Sequence, residues 1–180
     1  MTPIFIGIDP GITGAVAAIH PDGRIELYDT PTLVIVGGKK IKTVYNEREM
    51  AAMLRGIVSQ GPAECAIERV QAFPAQRRGA APCPACGRGP MAQGVVGMFA
   101  FGEGFGMWKG IMAALGIKYE LVSPVTWKGA LMAGQGKEKD ASRQVALRKF
   151  PAVAEMLTRM KDHGRADALL LAEFARRTHF

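Results

Sequence analysis

The chain has 180 residues, 48% of them hydrophobic and 22% charged, which excludes a disordered tail or a fibre and fits one domain with a real core. No apolar run reaches the ~18 residues of a membrane span, and Met1-Thr2-Pro3-Ile4 lacks the basic and apolar regions of a signal peptide, so a soluble cytoplasmic protein with no membrane partner is the expectation. The net charge of +7 is lopsided: residues 1–71 carry seven basic and eight acidic side chains, residues 72–180 carry sixteen and eight, and such a basic half suits a polyanion, usually nucleic acid.

The first third reads as a β-meander. Ile4 to Asp9 is an apolar strand ending in an acid, Ala15 to Ile19 a second, and Arg24 to Tyr28 a third after the Pro21-Asp22-Gly23 turn. Gly37-Gly38-Lys39-Lys40 predicts another turn between apolar stretches 33–36 and 41–45. Asn46 is an N-cap with Glu49 three residues on, and positions 50, 53, 54 and 57 repeat at helical spacing. Gly61-Pro62 ends that helix. Cys65 to Val70 is a buried-type strand with one acid, and 71–92 is a loop rich in Pro, Gly, Ala and Arg. A helix over 93–115, a strand over 118–122 and helices over about 124–132, 139–149, 152–160 and 165–178 follow. Strands first, then strands alternating with helices, predict an α/β fold: a mixed sheet with helices packed on it.

Three acids interrupt apolar elements: Asp9 at a strand end, Glu68 inside Ala66-Ile67-Glu68-Arg69-Val70, and Asp167 at the start of Ala168-Leu169-Leu170-Leu171. Buried carboxylates are costly unless paired or bound to metal. Each alone could pair with a neighbour such as Arg69 or Arg165; together they could converge on hard cations and support phosphodiester hydrolysis.

Gly7-Ile8-Asp9-Pro10-Gly11-Ile12-Thr13-Gly14, then Ile67-Glu68-Arg69-Val70, then His163-Gly164-Arg165-Ala166-Asp167-Ala168-Leu169 resemble the ordered motifs of RuvC-type Holliday-junction resolvases across nearly the whole chain. The resemblance implies an RNase H-like fold in a single domain over 1–180, with a mixed five-stranded sheet and helices on both faces. It implies a homodimer that nicks four-way DNA junctions symmetrically with two Mg²⁺ or Mn²⁺ per site. Asp9, Glu68 and Asp167 would be the metal ligands. Family members place an acid or His three residues before the last Asp, where this chain has Gly164. Phage-like relatives place it four before, which is His163. Residues four apart share a helix face, so His163 could bind metal or act as base for the attacking water; Asp162 is the weaker substitute. The phage-like spacing points to a bacterial or phage-infected cell.

By the same resemblance, Lys128 and Lys139 supply charge near junction and scissile phosphates, with Lys137 as an extra contact. The loop after Glu68 carries Phe73, the candidate aromatic wedge, with Arg77, Arg78 and Arg88 for the DNA backbone. Cys83-Pro84-Ala85-Cys86 offers two of the four ligands zinc needs, so no zinc is expected there. Gly102, Gly106 and Gly110 recur every four residues on one helix face, each costing about 1 kcal/mol relative to Ala. The stripe suits a second copy of the helix, flanked by Met98, Phe101, Phe105 and Trp108, or close packing on the chain's own sheet.

Asp-Pro-Gly-x-Thr-Gly is also similar to the phosphate turn of sugar kinases and actin. Those proteins need two such domains, so no nucleotide cofactor is expected. The remaining rivals are a broader branched- or flap-DNA nuclease and a non-catalytic junction-binding module.

Overall fold

The computed structural model describes residues 2–38, 40–71, 95–135 and 140–179. Among the described residues seven strands form: β1 (Ile4–Asp9), β2 (Ala15–Ile19), β3 (Ile25–Asp29), β4 (Thr32–Gly37), β5 (Lys40–Tyr45), β6 (Ala63–Glu68) and β7 (Lys118–Val122). Five of them make one sheet in the order β3-β2-β1-β6-β7. β1 and β2, and β2 and β3, pair antiparallel; β1 and β6, and β6 and β7, pair parallel.

Alternation along β1 divides the core. Ile4, Ile6 and Ile8 face one side with Val16, Ala18, Cys65 and Ile67. There they meet α1 (Glu47–Val58) through Met50, Leu54 and Ile57, and α2 (Val95–Ala114) through Trp108 and Met112. Phe5 faces the other side with Ala17, Ile19, Ala66 and Val122. That side is covered by α3 (Pro124–Leu131), α4 (Ala141–Lys149) and α5 (His163–Thr178). Both faces of β1 and β6 are buried, which is why these strands read as unbroken apolar runs. Helices on both faces of a mixed five-stranded sheet agree with the expectation from the motifs.

Local signals behave as their chemistry requires. The Asn46 side chain accepts from the Glu49 N–H at 3.2 Å, and its amide donates to the Glu49 carboxylate at 2.9 Å, closing the start of α1. Ser123 caps α3 by accepting from the Thr126 N–H at 3.1 Å, with Pro124 at the first helical position.

Three expectations need correction. The meander does not run on: β4 and β5 form their own two-stranded sheet, with Leu33, Val34, Ile35, Val36 and Ile41 exposed. The helix expected over 152–160 is a 3₁₀ stretch, Pro151–Leu157, followed by a short 3₁₀ turn, Met160–Asp162. Pro151 opens it, and non-helical backbone at Val153 breaks it, leaving only Val153 and Leu157 buried. The last helix starts at His163 rather than 165. Among the described residues, no helix is long and apolar enough to cross a membrane.

Candidate active site

Parallel pairing of β1 and β6 sets Ile8 opposite Ile67, so the next residues, Asp9 and Glu68, end neighbouring strands at one edge of the sheet. Asp9 shares its face with Phe5 and Gly7, and Glu68 shares its face with Ala66. This is the face that α5 covers. α5 lies so close over β1 that a Cβ at Gly7 would overlap the Ala168 carbonyl and the Ala172 amide. Glycine at position 7 therefore permits the contact that brings Asp167, one residue before Ala168, beside Asp9.

The turn after β1 is equally tight. The Gly14 N–H donates to the Gly11 carbonyl at 2.9 Å, and the Thr30 hydroxyl donates to that same carbonyl at 3.0 Å. A Cβ on Gly14 would overlap the Asp9 carbonyl, whereas Gly11 has ordinary room. Only Gly14 is sterically required. The first turn of α5 packs on this loop: a Cβ at Gly164 would lie 2.8 Å from the Thr13 carbonyl and 3.3 Å from Asp9 Oδ2. A side chain at 164 would enter the carboxylate group directly, and in this chain glycine leaves that place open.

The three carboxyls are close enough to perturb one another. Burial, then repulsion from Asp167 and Glu68, pushes Asp9 from an ordinary 3.8 up to about 7, against the pull of the Gly11 N–H and His163. Burial also raises Glu68, with Asp167 adding to the rise; the Trp127 hydrogen bond and Lys128 oppose it. Asp167 is raised by burial and held back by Ser142, Lys128 and His163. Its Oδ1 is buried without a well-oriented hydrogen-bond partner among the described residues, although the Ser142 hydroxyl lies near enough to lower the carboxyl's pKa.

α3 supplies the counterweight. The buried Trp127 donates its indole N–H to Glu68 Oε2 at 2.9 Å. Lys128 lies over the Trp127 ring at 4.9 Å and places Nζ 3.9 Å from Asp167 Oδ2. Trp127 and Ser142 belong to the site but were not among the expected site residues. Trp127 lies 59 residues from its partner, a separation that periodicity does not bridge. A buried indole needs a hydrogen-bond acceptor, and that was the one available signal.

His163 opens α5 near Asp9 and Asp167, with its Nδ1 3.3 Å from the Met160 carbonyl. Asp162 is otherwise engaged. It is buried, paired with Arg159 at 2.7 Å, and its carboxyl is held low by that arginine despite burial. Between the two fourth-ligand candidates, the surroundings favour His163.

No three His, Cys, Asp or Glu side chains among the described residues already stand as a closed metal shell. One Glu68 oxygen faces Trp127, and Lys128 lies against Asp167. The donor set nonetheless suits hard cations: three oxygen ligands, mutually repelling, with one buried oxygen lacking a good partner.

Gly102, Gly106 and Gly110 lie exposed on α2, and a Cβ at any of them would meet nothing among the described residues within 4 Å. Packing on the chain's own sheet is therefore not what the stripe does. Gly104 does the packing instead, against the Tyr45 ring. Trp108 is fully buried, so it does not flank the stripe as expected, whereas Phe105 is only half-buried. Val96 and Phe99, 79% and 75% exposed, stand on the solvent side of α2. Phe73, Arg77, Arg78, Arg88, Cys83, Cys86, Lys137 and Lys139 lie outside the described residues.

The fold is similar to that of RuvC. Thermus thermophilus RuvC in complex with a Holliday junction substrate matches with a TM-score of 0.52 at 18% identity, covering 98% of this chain and 97% of that one. A second Thermus thermophilus RuvC structure matches with a TM-score of 0.50 at 18% identity, covering 98% and 96%. A chloroplastic Holliday junction resolvase of Chlamydomonas reinhardtii is 39% identical over 70 residues, which is 39% of this chain and 8% of that protein. The chain thus spans far less than two thirds of that relative. No family model matches. The likeness to RuvC-type Holliday-junction resolvases read from the three motifs is borne out by these relatives.

Proposed function

We propose that this protein is a structure-selective endonuclease that resolves four-way DNA junctions by metal-dependent phosphodiester hydrolysis, cutting in symmetric pairs as a homodimer. The reading rests on one observation above all: Asp9, Glu68 and Asp167, remote in sequence, gather at one sheet edge with raised pKa values and a lysine beside them. The junction-resolving relative and the fold support the choice of substrate.

Asp9, Glu68 and Asp167 would hold two Mg²⁺ or Mn²⁺, with His163 as the fourth candidate, and the ions would supply an activated water and a neutralised leaving oxygen. The protein's own groups do the rest. Trp127 fixes one oxygen of Glu68 and leaves the other for a cation. Lys128 leaves Asp167 to meet the phosphate as negative charge develops there. His163, where it does not bind metal, takes the proton of the attacking water. The products would carry 5′-phosphate and 3′-hydroxyl ends. The exposed glycine stripe of α2 would admit the same helix of a second copy, giving two sites related by a two-fold axis. The protein would act where such DNA lies, in the cytoplasm of a bacterial or phage-infected cell.

The test is incubation of the purified protein with a synthetic mobile junction, a flap and a linear duplex, each with Mg²⁺, Mn²⁺ or EDTA. Paired nicks in the junction, abolished by EDTA, are expected. Equal cutting of the flap would make it a broader nuclease. Junction binding without any cutting would make it a binding module.

A further inference from the structure

Next to the carboxylates lies a groove of about 320 Å³, between the β1–β2 turn and the chain that enters α5. Ile12, Thr13 and Gly14 form one wall; Arg159, Lys161 and His163 stand on the other; Thr30 and Thr32 line it between them. The groove and the carboxylate cluster share a wall: Gly164 abuts the Thr13 carbonyl, Gly14 and Asp9 Oδ2. A strand with a phosphate at Asp9 and Asp167 would therefore run on into this groove or turn sharply away from it.

Its charges favour the first course. Two carboxylates line the groove, and each is already matched. Asp162 is held by Arg159 at 2.7 Å, and Asp29 is held by Arg165 at 2.6 Å. Lys161 is exposed, and no carboxylate of the described residues is recorded as its partner. The balance left over is one ammonium group, two residues before His163, with threonine hydroxyls as neutral donors. That combination suits a single phosphodiester: a point charge for the anion, hydroxyls for its oxygens, no unmatched acid to repel it.

We propose that this groove is a backbone subsite, in which Lys161, helped by Thr13 and Thr32, holds the DNA phosphate adjoining the one that is cut. The proposal rests on the junction-nuclease reading and adds to it a place for the neighbouring nucleotide on the His163 side of the site. Lys161 would set the strand's register along the carboxylates without touching the reacting atoms, so it is a positioning residue.

The test measures junction affinity by fluorescence anisotropy in Ca²⁺, against salt concentration, for wild type, Lys161→Glu, Lys161→Arg and the control Lys149→Glu. Lys149 ends α4 beside Phe150, which lines a pocket with Thr2 and Phe5 at the opposite end of β1, so its reversal changes net charge equally but away from the groove. Lys161→Glu is expected to weaken junction binding by about tenfold and to lower the salt slope by about 0.9, the value of one phosphate contact. Lys161→Arg should restore both, Lys149→Glu should change neither, and all melting temperatures should agree. Replacing the phosphate beside the cut with an uncharged methylphosphonate should erase the difference between wild type and Lys161→Glu. If wild type binds the junction tightly and Lys161→Glu leaves affinity and slope unchanged, or loses no more than Lys149→Glu, the subsite is refuted while the nuclease reading stands. If wild type shows no preference for the junction over duplex, both fall together.

Discussion

Toward the N-terminal end of β1, α5 buries Glu173 between Arg176 and Arg177, at 2.7 and 2.8 Å, and the two arginines hold its carboxyl low although burial works the other way. At the C-terminal end of the same strand, the same helix presents Asp167 to Asp9 and Glu68, and all three carboxyls are raised. Elsewhere Glu26 has Arg24, Asp140 has Arg143 and Asp162 has Arg159, and each carboxyl is lowered. One helix on one sheet thus treats carboxylates in opposite ways within a few turns. Where acids serve stability the chain provides arginine. At the C-terminal edge it provides one lysine 3.9 Å from one oxygen and leaves the others to repel. Mutual repulsion in a buried place is a stability cost that a bound cation would remove.

The comparison breaks most sharply at Asp9. Asp9→Asn is expected to abolish junction cleavage, by about 10³-fold or more, roughly 4 kcal/mol in the barrier. It should also raise the melting temperature of the metal-free protein, because it removes a repelled charge. Cleavage gels and calorimetry check the two halves. By contrast Glu173→Gln, at the other end, should destabilise the fold, because Arg176 and Arg177 lose their partner.

Lys128→Met comes next, with cleavage falling about 10²-fold, the scale of removing one preorganised charge at a transition state. Junction affinity at fixed salt should fall far less, and comparison of single-turnover rates with binding isotherms separates the two. Smaller again is Trp127→Phe, which keeps the ring and deletes only the N–H given to Glu68. A tenfold loss of Mn²⁺ affinity is expected, the lower end for losing such a supporting contact, measured by calorimetric titration.

A separate effect is on stability against pH without metal. Asp9 binds a proton in the folded state up to about 7, but only up to 3.8 when unfolded. Between those values the native state holds more protons, so stability should fall as pH rises through the window. The lowered carboxyls of Glu26, Asp140, Asp162 and Glu173 act with the opposite sign, gaining stability as pH rises, but below the ordinary carboxylate range. Above about pH 4.5 the site should dominate, and Asp9→Asn should flatten the slope in denaturant melts.

How much of this was legible in the sequence depended on the range of the interaction. The ends of β1, β2, β7 and α3 follow from turn residues, apolar runs and the Ser123-Pro124 cap, all local signals. Asp9, Glu68 and Asp167 stood out because acids in apolar elements are rare enough to need a reason. β4 and β5 misled because an apolar run marks a strand without saying which sheet receives it; five exposed apolar side chains there look like core in a sequence. The 3₁₀ stretch after Pro151 kept helical spacing without helical backbone. The steric demand at Gly7 and the bond from Trp127 to Glu68 exist only once α5 and α3 have docked on the sheet.

The most direct measurement is thermal unfolding of wild type and Asp9→Asn near pH 7.5, with EDTA and then with increasing Mn²⁺. Wild type should melt higher as Mn²⁺ rises, by about 2–4 °C for each kcal/mol of binding energy, while Asp9→Asn starts higher and hardly moves. Equal responses of the two proteins, or none from wild type at millimolar Mn²⁺, would contradict the view that these three carboxyls are gathered to hold divalent cations.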